Sequence, residues 1–281
     1  MVLARNIYGD GAISIVTTVI PDDKPGKGVM PTVALNPDLL TEVLVSWAAP
    51  DAHSSPIDKY EVEFQKADGS FAPELTRCDG MVKPPSSVVT ARKCSVPMTT
   101  LRTLLGPNVA RDSLIRVRVR AVNAKGTGLY SELNTAGATI ETEPTNLSQV
   151  SIDVPSTSNT ATKVVWTALT GSARGGWDVA ITQYEVYWDE AKTPTVWVSL
   201  ANITGSTTLE HLVTGLTGGT TYQFKVRAYN KYGEGEFFPS ISLQTSQRPD
   251  KPVAPTIVVT EAYVKVSWDK PITNHREVTE Y

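Results

Sequence analysis

At 281 residues the chain exceeds one small domain and suits two of about 100 residues with material left over. Hydrophobic residues make up 41% and charged residues 20%, which excludes a disordered, collagen-like or coiled-coil chain and allows buried cores. The formal net charge of -3, with signs interspersed, gives no field to gather nucleic acid or an anionic membrane, so neither contact is expected.

The first residues, Met1 to Asn6, lack the basic segment and apolar core of a secretory signal peptide. The apolar run from Ala12 to Ile20 contains Ser and Thr and stops at Pro21, short of the roughly 20 residues a membrane-spanning helix needs. Ahead of it stands the pattern Ala4, Asn6, Gly9, Gly11, which returns as Ala121, Asn123, Gly126, Gly128 and again as Ala228, Asn230, Gly233, Gly235. A tryptophan closing a β-branched run recurs at Trp47, Trp166 and Trp268, so two independent markers share a period of roughly 100 residues. After each tryptophan comes a third marker: Tyr60-Glu61-Val62-Glu63-Phe64, then Tyr184-Glu185-Val186-Tyr187-Trp188, then Tyr281.

Alternation over those five positions predicts a strand with one buried and one wet face. The runs entering the second and third Ala-x-Asn patterns alternate as well. Ile115, Val117 and Val119 are set against Arg116, Arg118 and Arg120, and Tyr222, Phe224 and Val226 against Gln223, Lys225 and Arg227. The following Asn and Gly residues predict a tight turn that needs positive φ. No segment shows a sustained 3.6-residue apolar period with a cap, so the chain is predicted to be all-β.

The tryptophan, the Tyr-x-Val-x-aromatic strand and the strand into Ala-x-Asn-x-x-Gly-x-Gly together resemble fibronectin type III domains over nearly the whole chain. The resemblance implies tandem, immunoglobulin-like β-sandwiches. It also implies a tyrosine corner at Leu216 and Tyr222, with the phenol bonded back to the preceding crossover. In the first domain Ile115 stands where Tyr222 stands in the second, so that corner must be secured differently. The segment Cys94 to Leu101, with Asn134 to Ala138 after the last strand, resembles domains of large secreted or surface proteins of some unicellular eukaryotes. Proline-rich joins predict boundaries that make residues 1–20 the end of one domain, 21–143 and 144–248 two whole ones, and 249–281 the start of another. The two end pieces are too short to complete one sandwich between them, so a segment of a longer array is expected.

Candidate chemistry is sparse. His53, His211 and His275 fall in three different domains, and no nucleophile has a plausible base, so no catalytic residue is expected. The Gly-x-Gly pairs lack the third glycine and helix of a phosphate loop. Asp22 and Asp23 supply too few oxygens for a specific calcium site, and no metal or cofactor is expected. Cys78 and Cys94, 16 positions apart, read as a local disulfide, with a reactive thiol pair as the alternative. Closing such a loop of about 15 residues is worth roughly 3 kcal/mol and implies an oxidising compartment.

Asn146-Leu147-Ser148 at a domain join and Asn202-Ile203-Thr204, placed in a polar loop after Trp197, are N-glycosylation sequons. Ser/Thr clusters such as Ser206-Thr207-Thr208 could carry O-glycans. Arg116, Arg118 and Arg120 could face an acidic glycan, but Glu61 and Glu63 on the neighbouring strand should neutralise them. Trp177 and Trp197 are candidate partner contacts, with core or inter-domain packing as the alternative.

The expected function is a non-enzymatic structural or adhesive segment of an extracellular or cell-surface repeat protein, working through protein partners or self-association in a filament or coat, with glycans outside. The alternatives are a ligand-binding receptor ectodomain, spacer modules of a polysaccharide-degrading enzyme, and an intracellular cytoskeletal array.

Overall fold

Short strands separated by turns dominate the computed structural model, which describes residues 1–15, 21–82, 87–205, 207–273 and 277–281. The chain divides into two units, Met1–Ile140 and Glu141–Tyr281.

In the first unit, Arg5–Asn6 (β1) and Gly9–Asp10 (β2) form a small hairpin. Thr32–Leu35 (β3), Glu42–Ser46 (β4), Ile57–Gln65 (β5), Phe71–Pro73 (β6), Lys93–Pro97 (β7), Val117–Asn123 (β8) and Gly126–Thr127 (β9) follow. They build two antiparallel sheets, ordered β3-β4-β7 and β6-β5-β8-β9. The two-residue period of β5 and β8 decides what fills the space between them. Tyr60, Val62, Phe64, Val117, Val119 and Ala121 are buried, as are Val33, Val43, Val45 and Val96 of the other sheet. Trp47 meets Tyr60 edge-on, with ring centroids 5.4 Å apart.

The second unit repeats this plan. Val150–Asp153 (β10), Ala161–Trp166 (β11) and Glu210–Thr214 (β14) form one sheet, with Gln183–Trp188 (β12) and Val198–Thr204 (β13) lying between them in sequence. The other sheet runs β13-β12-β15, where β15 is Thr221–Asn230 and also pairs with Gly233–Glu234 (β16) and Ile241–Gln244 (β17). Its core gathers Val164, Trp166, Tyr184, Val186, Phe224, Val226 and Ala228. Thr256–Val259 (β18) and Val264–Ser267 (β19) make a further hairpin with exposed apolar side chains.

The tyrosine corner of the second unit closes as the resemblance implied: the buried Tyr222 hydroxyl oxygen accepts the Thr217 N–H at 3.0 Å. The first unit uses a helix instead, which the all-β expectation for residues 97–112 did not include. Helix α2 (Met98–Leu105) follows the single turn Ser87–Ala91 (α1) and β7, and buries Met98, Leu101 and Leu105 completely. The i, i+3, i+7 spacing of these residues is a helical signal, but eight residues are too few for a helix that stands alone, so packing rather than propensity holds it. Its ends are tied to the sandwich by Met98 N–H to Thr41 O (2.9 Å) and Ala67 N–H to Leu105 O (3.0 Å). Ile115, in the tyrosine's position, is fully buried. Among the described residues no helix is long and apolar enough to cross a membrane.

Candidate interaction surfaces

The asparagine of the repeated motif does more than shape a turn. Asn6, Asn123 and Asn230 each accept, through Oδ1, the N–H two residues on, and the glycines at 9, 126 and 233 take φ of 129°, 135° and 132°. In both sandwiches the buried side chain also reaches back to the incoming chain. Asn123 Nδ2 donates to Asp23 O (2.8 Å), Ala52 O and Ser55 O, and Asn230 Nδ2 donates to Thr142 O and Arg174 O, both at 2.8 Å. One amide thus ties separate chain segments together through their carbonyls.

On the outer face of the larger sheet, β5 and β8 place Glu61 opposite Arg120 and Glu63 opposite Arg118. Glu61 Oε2 accepts from Arg120 at 2.5 Å and from the Tyr130 hydroxyl at 2.9 Å, and Glu63 Oε2 accepts from Arg118 Nη2 at 2.6 Å. The Arg118 guanidinium stacks 3.5 Å from Phe71 and 4.0 Å from Tyr130. Burial, then the hydrogen bond to Glu61, raises the Tyr130 pKa. Arg118 and Arg120 thus form a salt and aromatic ladder with Glu63, Glu61, Phe71 and Tyr130.

The second unit carries the same register with one change: Glu185 opposes Arg227, but Tyr187 opposes Lys225. Glu185 Oε2 accepts from Arg227 Nε (2.8 Å) and the Tyr229 hydroxyl (2.7 Å), and Arg227 also reaches Glu234 at 3.2 Å. Burial alone would raise the Glu185 pKa, yet the bonds from Tyr229 and Arg227 outweigh it and bring it down. Lys225 lies over Trp197 (4.3 Å) and Phe237 (4.1 Å), and burial followed by Arg227 lowers its pKa.

Cys78 and Cys94 are bonded, with Cα atoms 5.2 Å apart, joining the segment after β6 to β7 of the opposite sheet. Glu74 shapes that segment: its carboxylate accepts the N–H groups of Thr76 (3.0 Å), Arg77 (2.7 Å) and Cys78 (2.9 Å). Burial opposes ionisation, but these three donors prevail and the Glu74 pKa is lowered. The Gly80 carbonyl then accepts the Tyr60 N–H at 2.9 Å, so this chain covers part of the β5 edge.

The remaining sequence candidates are dispersed. Asn146 is exposed next to buried Leu147, and Asn202 is exposed within strand β13, not in the polar loop that was expected. A mixture of polar and apolar residues suggested the loop, whereas pairing with β12 draws the segment into the sheet. Trp177 is 65% exposed, its ring lying over Gly171, rather than in the core, while Trp197 is half-buried over Lys225. His53 Nδ1 sits 2.7 Å from Lys24 O. His211 faces Val164 across β11 and β14, and burial lowers its pKa. His275 and Ser206 lie outside the described residues. Asp22 pairs with Lys125 at 3.5 Å. Among the described residues no group of three or more His, Cys, Asp or Glu could hold a metal ion. The Asn123 and Asn230 ties and the roles of Phe71, Tyr130 and Phe237 were not found from sequence. Only the recurrence of an Asn in every repeat hinted at the first.

Two-sheet antiparallel sandwiches, each with a buried Trp on its second strand against a Tyr on its third, define the chain as an immunoglobulin-like β-sandwich protein. Residues 142–245 match the model of the fibronectin type III domain. It is 25% identical to cell adhesion molecule Dscam1 of Drosophila melanogaster over 96% of its own length and 12% of that protein. It is 25% identical to contactin-3 of Rattus norvegicus over 100% and 26%, and 30% identical to human neural cell adhesion molecule L1 over 74% and 15%. The chain spans about a quarter or less of the curated relatives it matches.

Proposed function

We propose that the chain is a non-enzymatic, adhesive or structural segment of an extracellular or cell-surface protein, in which two sandwiches at 21–143 and 144–248 are flanked by parts of similar domains. The observation that carries this reading is where the polar chemistry goes. Carboxylates, guanidiniums and amides on both sandwiches are engaged with one another and with backbone groups, in ladders and ties that hold the fold. Two of the relatives are named as cell adhesion molecules, which supports the same conclusion.

The flanking hairpins support the repeat reading. The β1–β2 pairing of Asn6 with Gly9 repeats that of Asn123 with Gly126 and of Asn230 with Gly233. The β18–β19 ladder ends one residue before Trp268 as the β3–β4 ladder ends one residue before Trp47. The bonded Cys78 and Cys94 and the exposed Asn146 and Asn202 support an oxidising compartment and a glycosylated surface. Trp177, largely exposed, is the first side chain to test for contact with a protein partner or a second copy.

Peptide mass spectrometry of unreduced protein from its native source tests the compartment. A Cys78–Cys94 cross-link with sugar on Asn146 or Asn202 is the expected result. Free thiols and bare asparagines would sink the extracellular reading and favour an intracellular array. Beads coated with the chain should then cluster, or capture a surface protein, and Trp177→Ala should weaken that contact.

A further inference from the structure

The two sandwiches treat the edge beside their third strand differently. In the first, the edge strand β6 has only three residues, ends at Pro73, and is followed by a segment that caps β5 through Gly80 and is fastened by Cys78–Cys94. In the second, the corresponding strand β13 has seven residues, Val198-Ser199-Leu200-Ala201-Asn202-Ile203-Thr204, with no charge and no proline. Among the described residues it pairs only with β12, so its other side has no strand partner. A long, uncharged, β-prone edge is a template for another chain, and soluble proteins blunt such edges with charge, proline, bulges or a cover. This strand has an irregularity opposite Val186 and Tyr187, which leaves the stretch from Ala201 to Thr204 in regular register.

That regular stretch contains the sequon. Asn202 opposes Glu185, and Thr204, two positions on, opposes Gln183, so Asn202 and Thr204 share the outer face of the sheet. The Asn202 side chain is exposed, and its Oδ1 accepts a long 3.5 Å approach from Gln183 Nε2.

We propose that Asn202 carries an N-linked oligosaccharide that shields the β13 edge against pairing with a second copy of this chain. The inference rests on the extracellular reading above. In the transfer, the Asn202 amide nitrogen forms a bond to C1 of the first sugar of a lipid-pyrophosphate-linked oligosaccharide. The bond from C1 to the pyrophosphate oxygen breaks, the lipid pyrophosphate leaves with the electron pair, and the amide gives up one proton. No oxidant or reductant takes part.

The geometry explains the effect. An incoming strand would run about 4.7–4.9 Å from β13, and a branched sugar rooted on the edge strand itself intrudes on that lane. A second copy is the occupant kept out because antiparallel pairing about Ala201 is self-complementary. It sets Leu200 against Asn202 and Val198 against Thr204, with no like charges to oppose it.

The test uses the whole chain secreted from eukaryotic cells, with glycopeptide mapping and sedimentation velocity over a range of micromolar concentrations. Sugar on Asn202 is expected, with wild type and Asn146→Gln monomeric. Asn202→Gln and Thr204→Ala, two unrelated ways of losing the sequon, should both associate at least about tenfold more strongly. Adding Leu200→Lys to either should restore the monomer. A bare Asn202 beside a glycosylated Asn146, or sugar-free variants that stay monomeric, overturns the proposal and leaves the extracellular reading intact. Bare asparagines at both sites in the native protein, with free thiols, overturn both.

Discussion

Replacing Asn230 by alanine removes three hydrogen bonds of 2.8 Å: two given by Nδ2 to the carbonyls of Thr142 and Arg174, and one accepted by Oδ1 from Tyr232 N–H. Asn230 is only 6% exposed, so water replaces these bonds incompletely. At a net value near 1 kcal/mol each, the loss is about 2–3 kcal/mol. Asn230→Asp is the sharper variant, because at neutral pH it sets a carboxylate against two carbonyl oxygens and should cost at least as much. Urea unfolding followed by tryptophan fluorescence reports mainly on residues 141–281, which hold five of the six tryptophans. For an m-value near 2 kcal/mol/M, the midpoint should fall by about 1–1.5 M. A fall of less than about 0.25 M, or an aspartate variant as stable as wild type, would refute the view that this amide ties the incoming chain down.

Gly175→Ala should act on the same knot, since a Cβ there would come within 2.1 Å of Thr142 O and 2.4 Å of Asn230 Nδ2, and φ is +104°. Combined with Asn230→Ala its effect should be clearly less than additive in a double-mutant cycle. Replacing both Cys78 and Cys94 by serine should cost about 2–4 kcal/mol, read by thermal or denaturant unfolding, and should speed hydrogen exchange in residues 74–80. Glu74 has a folded pKa below its unfolded value near 4.3, so its contribution is full above about pH 5 and disappears as pH falls through the folded pKa. Glu74→Gln should therefore lower stability at pH 7 and flatten the acid limb of the stability profile. Arg227→Met strands the largely buried Glu185 and should cost about 3 kcal/mol, against less than about 1 kcal/mol for Lys225→Met, which leaves no acid unpaired.

The sandwich was legible where one residue type recurs with one physical duty. The alternation of Tyr60 to Phe64 and of Ile115 to Arg120 could be read directly, because a strand between core and solvent shows its two faces in the order of its residues. The pairing of Arg118 and Arg120 with Glu63 and Glu61 followed once those strands were placed side by side. Helix α2 escaped because its three buried apolar residues, Met98, Leu101 and Leu105, span barely two turns. Asn202 was misplaced in a loop because edge strands need only one partner and tolerate polar residues.

By itself the sequence determined the all-β character, the repeat period, the tryptophan and tyrosine positions and the turns, all of which depend on residues near one another in the chain. The tertiary structure alone decided which carbonyls Asn123 and Asn230 hold and which rings stack on Arg118 and Lys225. It also decided that one sandwich covers its edge with a disulfide-fastened segment while the other leaves β13 open. Those features join groups from about a dozen to a hundred residues apart, and chain folding sets such distances without leaving a local pattern to read.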